Sequence, residues 1–499
     1  MDSSKGDLKS ISPGDVLAGV TVALVVIPQS IAYADLAGMP PYTGLLAAAL
    51  PAITASFFSS SPYLQTGPVA LTSILSFGVL SQLAAPSSAH YISLAASLAL
   101  LVGVFRVLIG VFRFGQIAYL ISRPVLLGFT TAAALLIILS QLPKSLGIDI
   151  GDRSVVNGAF FCISQPQNWF MPAVLVAALS IAIITVGRCI HKLFPGIALA
   201  VVLGLLASTS FSYGGTTVGD IPSILPRLSL HIPWPSLPSI ALSAFVIALV
   251  GFAEPASIAR SYSTLDKIPW NANREFISQG IANITAGAVG GFPVGGSFSR
   301  TSINRLAGAR SRFSGLVTGC TVLAFAPFTN ILSNLPTAVL GGIVIAAVLN
   351  LISIKELWHL KSYSMPQACI GWLTFFACFL LAPRIDIAIL AGIGIAVAHH
   401  LRREQRLVIE SWVYDNSVHI KPKGVLWFGS IANFETELQH LLNRHREAKK
   451  VILHLEGLGR IDLSAAVSLW SIVNTAKESG IEVSIENVPP MAKAWSKRL

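Results

Sequence analysis

Residues 288–304 read AVGGFPVGGSFSRTSIN, and residues 59–75 read SSSPYLQTGPVALTSIL. In each stretch, a polar segment rich in glycine or proline leads into a short run that can form a helix. Irregular backbone at membrane depth is tolerated only where it is buried in protein or lines a wet cavity. The two stretches therefore predict half-helices that begin inside a bilayer and turn their electropositive N-termini towards a shared space. The alternative is that both stretches are re-entrant kinks needed only for packing.

The composition requires lipid as the main solvent. Of 499 residues, 53% are apolar and only 11% are charged, whereas soluble domains carry about 25% charged residues. The net charge of +11 does not indicate a nucleic-acid partner, because Lys and Arg usually flank the cytoplasmic ends of membrane helices. We find no nucleophile–base pair, metal cluster or phosphate loop, so we expect no enzymatic activity, no cofactor and no metal.

Apolar runs of about 20 residues are the signature of membrane-spanning helices. Fourteen candidate spans follow from the sequence, some of them short or interrupted by Gly and Pro. They are residues 14–36, 42–58, 68–84, 91–112, 117–140, 169–187, 194–212, 239–259, 274–290, 297–309, 313–332, 336–352, 366–382 and 385–401. With the N-terminus inside, most Lys and Arg fall in the inside loops, as the positive-inside rule requires.

The sequence predicts two domains, with a short segment before the first and a linker between them. Residues 1–13 form a cytoplasmic N-terminal segment, residues 14–401 the transmembrane transport domain, and residues 402–417 a linker. Residues 418–499 have ordinary soluble composition and alternate strand and helix patterns, which predicts a small cytoplasmic α/β domain. Within it, residues 419–430 are predicted to form two short strands.

Two charged residues in apolar segments are the main functional candidates. Glu254 lies inside an apolar helix, where a carboxylate is costly and marks a functional site by default. Loss of water disfavours its charged form, so it could carry a proton. Arg300 stands at the start of the second half-helix and offers a fork of donors to an oxyanion. The alternative is that Glu254 and Arg300 only pair with each other and join two helices. A third charge, Arg106, is expected to reach a helix end.

Several motifs together resemble the sulfate permease (SulP) family of anion transporters. They include IPQSIAYADLAGMPPYTGLLAAALP (residues 27–51), GPVALTS (67–73), ALVGFAEPASIARSYS (248–263) and GFPVGGSFSRTSINRLAGARSRFSGLVTG (291–319). The tail, with LHLEGLGRIDLSAAVSL (453–469), is similar to the STAS domain that follows the membrane domain in that family. The resemblance covers nearly the whole chain.

The resemblance implies a polytopic α-helical fold with fourteen spans in a 7+7 inverted repeat, divided into core and gate domains. It also implies an elevator-like motion and a homodimer. The family's anion site maps onto seven positions of this sequence. These are Gln29, Tyr33, Val69, Ala70, Phe298, Ser299 and Arg300. Relatives with Asp at the position of Glu254 and Thr one turn later can use sodium. Here the residue one turn later is Ile258, which favours a proton as the coupling ion.

Sulfate carried by proton symport is therefore the expected function, in a multi-pass protein of the cell membrane with both termini cytoplasmic. Bicarbonate, chloride exchange or a dicarboxylate on the same scaffold is the first alternative. A non-transporting anion sensor and an uncoupled anion channel are the others. Backbone dipoles and one Arg suit many oxyanions alike, so the sequence leaves the anion open.

Overall fold

The structure is a computed structural model that describes residues 11–119, 121–151, 153–210, 213–222, 232–445, 450–478 and 480–488. The chain divides into two compact units between Ile393 and Gly394. Most of the N-terminal segment predicted at residues 1–13 lies outside the described residues, as does the end of the domain predicted at residues 418–499.

The first unit consists almost entirely of helices. They are α1 (Pro13–Leu36), α2 (Pro41–Phe58), α3 (Ala70–Leu80), α4 (Ala89–Val111), α5 (Arg123–Leu146), α6 (Val155–Ser164), α7 (Met171–Ile190), α8 (Gly196–Ser210), α9 (Leu237–Asp266), α10 (Ala272–Ala288), α11 (Phe298–Leu306), α12 (Phe313–Phe325), α13 (Thr337–Val348), α14 (Ile354–Tyr363), α15 (Met365–Leu380) and α16 (Ile385–Glu404), the last of which runs into the second unit. Within the described ranges, nine helical stretches are long and apolar enough to cross a bilayer.

Each of the fourteen predicted spans overlaps one of these helices, but α6 and α14 were not predicted. Each of the two has only ten residues, which amounts to about 15 Å of helix, half of what a bilayer requires. Helices this short leave no long apolar run in the sequence. α14 also carries Lys355, Glu356 and Lys361, so its composition is that of a surface helix.

The helix order repeats once along the membrane domain. Helices α1–α8 and α9–α16 each contain a short third helix (α3, α11) and a short sixth helix (α6, α14). The two unpredicted helices are thus partners in the repeat. This agrees with the expected 7+7 arrangement, to which each half adds one short helix.

Small residues let the helices of the membrane domain pack closely. A Cβ built on Gly103 of α4 would lie 2.7 Å from the carbonyl oxygen of Gly280 on α10, a separation that real side chains do not reach. Glycine at both positions brings the two backbones together, which is how membrane helices associate when lipid provides little hydrophobic driving force.

The second unit is an α/β domain with one five-stranded sheet. Its elements are β3 (Val408–Tyr414), β4 (Ser417–Leu426), α17 (Ile431–Arg444), β5 (Lys450–His454), β6 (Leu458–Ile461), α18 (Leu463–Glu478) and β7 (Glu482–Glu486), after the two short strands β1 (Thr66–Gly67) and β2 (Gly295–Gly296) of the membrane domain. The strand order is β3-β4-β5-β7, with β6 also pairing with β4. Its core contains Phe434, Leu453 and Ala465. The alternation of strand and helix is the one expected of a STAS domain.

Part of the predicted linker is a strand. β3 falls within residues 402–417 and pairs along its whole length with β4, from Val408 opposite Lys423 to Tyr414 opposite Ser417. Residues 419–430, predicted as two strands, contain most of the single strand β4. The sequence VIESWVYDNSVHI places a tight turn at Asp415 and Asn416, which both have positive φ, and this hairpin signal was missed.

Candidate functional site

The two interrupted stretches meet through a short antiparallel pairing. β1 and β2 pair Thr66 with Gly296 and Gly67 with Gly295. The half-helices α3 and α11 begin three residues after β1 and two after β2, at Ala70 and Phe298. Their N-cap residues, Val69 and Ser297, make no side-chain capping hydrogen bond. The N–H groups of the first turns are therefore not satisfied by a side chain of the same helix.

Arg300 reaches across this pairing from α11. Its side chain is only 1% exposed, and Nη1 donates to the carbonyl oxygen of Pro68 at 2.8 Å. The other two nitrogens, Nε and Nη2, are buried and have no hydrogen-bond partner. Within the described ranges, no ion pair shorter than 4.0 Å joins Arg300 to Glu254. The guanidinium thus keeps buried donors that an oxyanion could accept from.

Gln29 and Tyr33 lie one helical turn apart on α1. Gln29 is 1% exposed, and both its Oε1 and its Nε2 are buried without a partner. Tyr33 is buried and lies within electrostatic range of Arg300 and Glu254. Buried amides normally have hydrogen-bond partners. An unpaired Gln29 on α1, a helix that packs against α3 and α11, is therefore the second sign of a polar binding site.

Glu254 has a partner that the sequence did not suggest. Its Oε1 accepts a hydrogen bond from the backbone N–H of Phe298 at 3.2 Å. The carboxylate of α9 therefore takes the place of an N-cap for α11. The alternative in which Glu254 pairs with Arg300 to hold two helices together has no direct ion pair to support it. The pair of residues instead interacts through space.

A cavity of about 240 Å³ opens beside α11. Of the seven predicted anion-site residues, only Phe298 and Ser299 line it. The other five, Val69, Ala70, Gln29, Tyr33 and Arg300, are buried and do not line the cavity. The remaining lining residues come from α1, α7, α8, α11, the turn before α8 and the segment after α13: Val25, Ile184, Arg188, Lys192, Phe194, Gly196, Ile197, Ser302, Ile303, Leu306 and Asn350.

Arg106 does not reach a helix end, contrary to the expectation. It is fully buried and donates to the carbonyl oxygens of Ala248 (3.1 Å), Ile247 (3.3 Å) and Val294 (3.0 Å). Its donors are satisfied by backbone because α9 and the segment before β2 converge on it.

Asn283 of α10 supports the same segment before β2. Its amide donates to the Val294 carbonyl and accepts from the Val294 N–H, both at 3.0 Å. Neither Arg106 nor Asn283 was predicted as a supporting residue of the site, although a charge and an amide in the middle of apolar helices were a signal for both.

Comparisons with known proteins show the family to which the chain belongs. Residues 13–374 match the sulfate permease family. The chain is 28% identical to sulfate transporter 4.1, chloroplastic, of Arabidopsis thaliana, over 95% of this chain and 75% of that protein.

Two solved structures share the fold. The murine Slc26a9 anion transporter in its inward-facing state superposes with a TM-score of 0.90 and 20% identity, covering 99% of this chain and 88% of that one. The transmembrane domain of the cyanobacterial bicarbonate transporter BicA superposes with a TM-score of 0.64 and 22% identity, covering 77% of this chain and 97% of that one. The fold is thus the 7+7 helical repeat of a polytopic membrane protein. Because the family match covers most of the sequence, the chain belongs to the sulfate permease family of anion transporters.

Proposed function

We propose that this protein is a secondary active transporter that carries sulfate together with protons. The observation that carries the proposal is the buried guanidinium of Arg300, which keeps two unpaired nitrogens between the N-termini of α3 and α11. A sulfate oxygen could accept from these nitrogens, from the Gln29 amide and from backbone N–H groups of the half-helices. The name of the Arabidopsis relative supports sulfate as the cargo.

The position of Glu254 supports proton coupling. Its carboxylate is already bound to the N–H of Phe298, so it competes with an arriving anion for the N-terminus of α11. A neutral acid binds an N–H less strongly than a carboxylate does. Protonation of Glu254 therefore releases the helix end for substrate, and the anion and the proton bind together. Arg300 and Tyr33 are the charged or titratable groups that also act on Glu254.

The membrane potential gives a reason for coupling. Moving one charge against 100 mV costs about 2.3 kcal/mol, so importing a dianion into a negative-inside cell costs roughly twice that at 100 mV. Each co-transported proton cancels one charge. Two protons per sulfate would make import electrically neutral, and three would make it favoured by the potential.

The proposed motion is elevator-like. α1–α4 and α9–α12 form the core, which holds the anion site, and α5–α8 and α13–α16 form the gate. The cavity of about 240 Å³ lies between them, with core residues such as Ser299 on one side and gate residues such as Arg188 on the other. With both termini cytoplasmic, this cavity opens to the cytoplasm. We further propose that two copies form a homodimer in the cell membrane.

Transport by purified full-length protein in liposomes tests the proposal. Radiolabelled sulfate should accumulate against its gradient when the side of entry is acidified, with or without sodium. Glu254→Gln should lose pH-driven accumulation and keep sulfate exchange. Glu356→Gln, which removes an exposed carboxylate paired with Arg123, is the matched control. Full pH-driven accumulation by Glu254→Gln would show that Glu254 does not carry the proton.

Bicarbonate is the second candidate cargo, because the fold is also that of BicA. Competition of sulfate uptake by bicarbonate, chloride and dicarboxylates would rank the cargoes. Anion binding without flux would instead indicate a sensor, and currents far above carrier turnover would indicate a channel.

A further inference from the structure

The cavity beside α11 carries an unusual charge pattern. Among the residues that the structure describes, its lining includes two cationic side chains, Arg188 and Lys192, and no carboxylate. Arg188 lies in the last turn of α7 and Lys192 in the turn that follows. Across the cavity from them, α11 presents Ser299 and Ser302. A cleft with one sign of charge and low-dielectric walls concentrates ions of the opposite sign.

Arg188 has donors to spare. Its side chain is half-buried, and its one recorded hydrogen bond within the described ranges runs from Nη1 to the carbonyl oxygen of Ala346 on α13, at 3.3 Å. A guanidinium has five N–H donors. The bond to Ala346 orients the side chain and leaves further donors to face the cavity. Arg188 also lies within electrostatic range of Tyr33, which in turn lies within range of Arg300.

The position of Arg188 at the end of α7 also has a purely structural explanation. A positive charge in the last turn stabilises a helix through its dipole, and the bond to Ala346 ties α7 to α13. This explanation accounts for Arg188 being in the last turn. It gives no reason for the side chain to line a cavity together with a second cation and two serines of the opposite domain.

Ser302 is also suited to donate to a ligand. Its Oγ lies 2.7 Å from the hydroxyl oxygen of Tyr262, and either group can be the donor. If Tyr262 donates, the Ser302 proton is directed elsewhere. Ser299 lies one turn earlier on α11 and directly precedes Arg300, so a ligand on these two hydroxyls is next to the proposed transport site.

We propose that Arg188, with Ser299 and Ser302, forms a second anion-binding subsite for a divalent oxyanion at the cytoplasmic approach to Arg300. The subsite deepens the proposed function and rests on it, because the cavity must be part of the transport path. Arg188 belongs to the gate and the serines to the core, so an elevator movement takes the subsite apart. It therefore raises anion affinity on one side of the membrane only.

Side-resolved kinetics of the full-length protein in liposomes test the subsite. Arg188→Gln should raise the KM for radiolabelled sulfate about tenfold on the cavity side, since a hydrogen bond to a charged group is lost. The KM on the opposite side and the maximal rate should stay within twofold. Arg188→Lys, which keeps the charge, should be intermediate. Arg123→Gln is the matched control, because it removes the same charge from an exposed gate position.

The outcomes separate the subsite from the proposed function. If Arg188 only ties α7 to α13, Arg188→Gln lowers thermal stability and maximal rate without a one-sided change in KM, and this overturns the subsite. An unchanged KM on the cavity side overturns it as well. If the wild-type protein carries none of sulfate, bicarbonate and chloride, the proposed function fails and the subsite with it. If it carries only the monovalent anions, a one-sided effect of Arg188→Gln supports the subsite and overturns its preference for dianions.

Discussion

The backbone N–H of Phe298 donates to Oε1 of Glu254 across 3.2 Å. Phe298 is the first residue of α11, and its N-cap, Ser297, makes no capping bond of its own. A carboxylate from another helix thus occupies the end of the half-helix at which an anion is expected to bind. Helix N-termini stabilise one negative charge well, so substrate and Glu254 compete for the same group.

Removal of this single N–H tests the competition. Phe298→Pro deletes the donor, and proline is well tolerated at the first position of a helix. The preceding residue, Ser297, has an extended backbone (φ −110°, ψ 127°) that suits a following proline. We expect Phe298→Pro to lose the pH dependence of sulfate uptake and to bind sulfate about tenfold more weakly. Uptake rates between pH 5 and 8 would be measured in liposomes.

Phe298→Ala is the control for the ring. It keeps the N–H and removes a side chain that is 55% exposed. We expect its pH profile to follow that of the wild type. The same loss of pH dependence in both variants would contradict the role of the backbone donor and assign the effect to the ring.

Because Nε and Nη2 of Arg300 are unpaired, we expect sulfate binding to require a guanidinium at this position. Arg300→Lys keeps a charge but cannot span the Pro68 carbonyl and an oxyanion with a rigid fork. We expect the sulfate KM to rise at least about tenfold. Arg305→Lys on the same helix alters a partly exposed pair with Asp266 (2.6 Å) and cation–π contacts with Tyr63 and Tyr262, and should change the KM little. Equal effects of the two substitutions would remove the case for Arg300 as a ligand.

Alanine substitution at two glycines of the β1–β2 pairing should have two different effects, one on sulfate affinity and one on stability. A Cβ on Gly67 would lie 3.7 Å from Ala48 Cα and from Arg300 Nη2, which is ordinary contact. Gly67→Ala should therefore fold normally but screen the unpaired nitrogen and lower sulfate affinity. A Cβ on Gly296 would lie 2.7 Å from Leu64 and 3.2 Å from Pro255, so Gly296→Ala should lose about 1–3 kcal/mol of stability through overpacking.

Thermal unfolding and sulfate titration of the two purified variants separate these effects. A Gly67→Ala protein with wild-type affinity would place the anion away from Nη2. A Gly296→Ala protein as stable as the wild type would mean that Leu64 moves aside without cost.

The sequence predicts the long helices and the interrupted pair because both leave local patterns. Apolar runs predict the spans, and the Gly and Pro residues in the stretch before Arg300 predict the interruption of the helix. Contacts between distant backbone groups leave no such pattern. The partner of Glu254 is a backbone N–H, which every residue but proline carries. The sequence could therefore suggest Arg300 as that partner, but not the backbone of Phe298. Arg106 likewise binds three carbonyl oxygens that no side-chain pattern reveals.

Polar contacts join the core to the gate at the end away from the cavity. Asp386, at the start of α16 and 2% exposed, accepts from Ser243 of α9 at 2.8 Å and from Arg384 at 2.9 and 3.0 Å. Lys144 of α5 pairs with Asp35 of α1. In the proposed orientation, with both termini cytoplasmic, these contacts lie at the outer side. In the proposed elevator movement they would hold the two domains together there while the cavity is open on the other side.

Loss of the Asp386 contact should therefore favour the outward-open state. Asp386→Asn weakens the charge-assisted bond from Ser243 across the two domains, worth about 1.5–3 kcal/mol, enough to shift a two-state equilibrium roughly tenfold or more. The readout is labelling of Ser73→Cys, at a buried position in α3, by a membrane-impermeant thiol reagent added outside. The background has Cys162, Cys189, Cys320, Cys369 and Cys378 replaced by serine. Asp266→Asn breaks an ion pair within the core and should leave labelling unchanged. If Asp386→Asn labels no faster than this control, the contact does not hold the outer side closed.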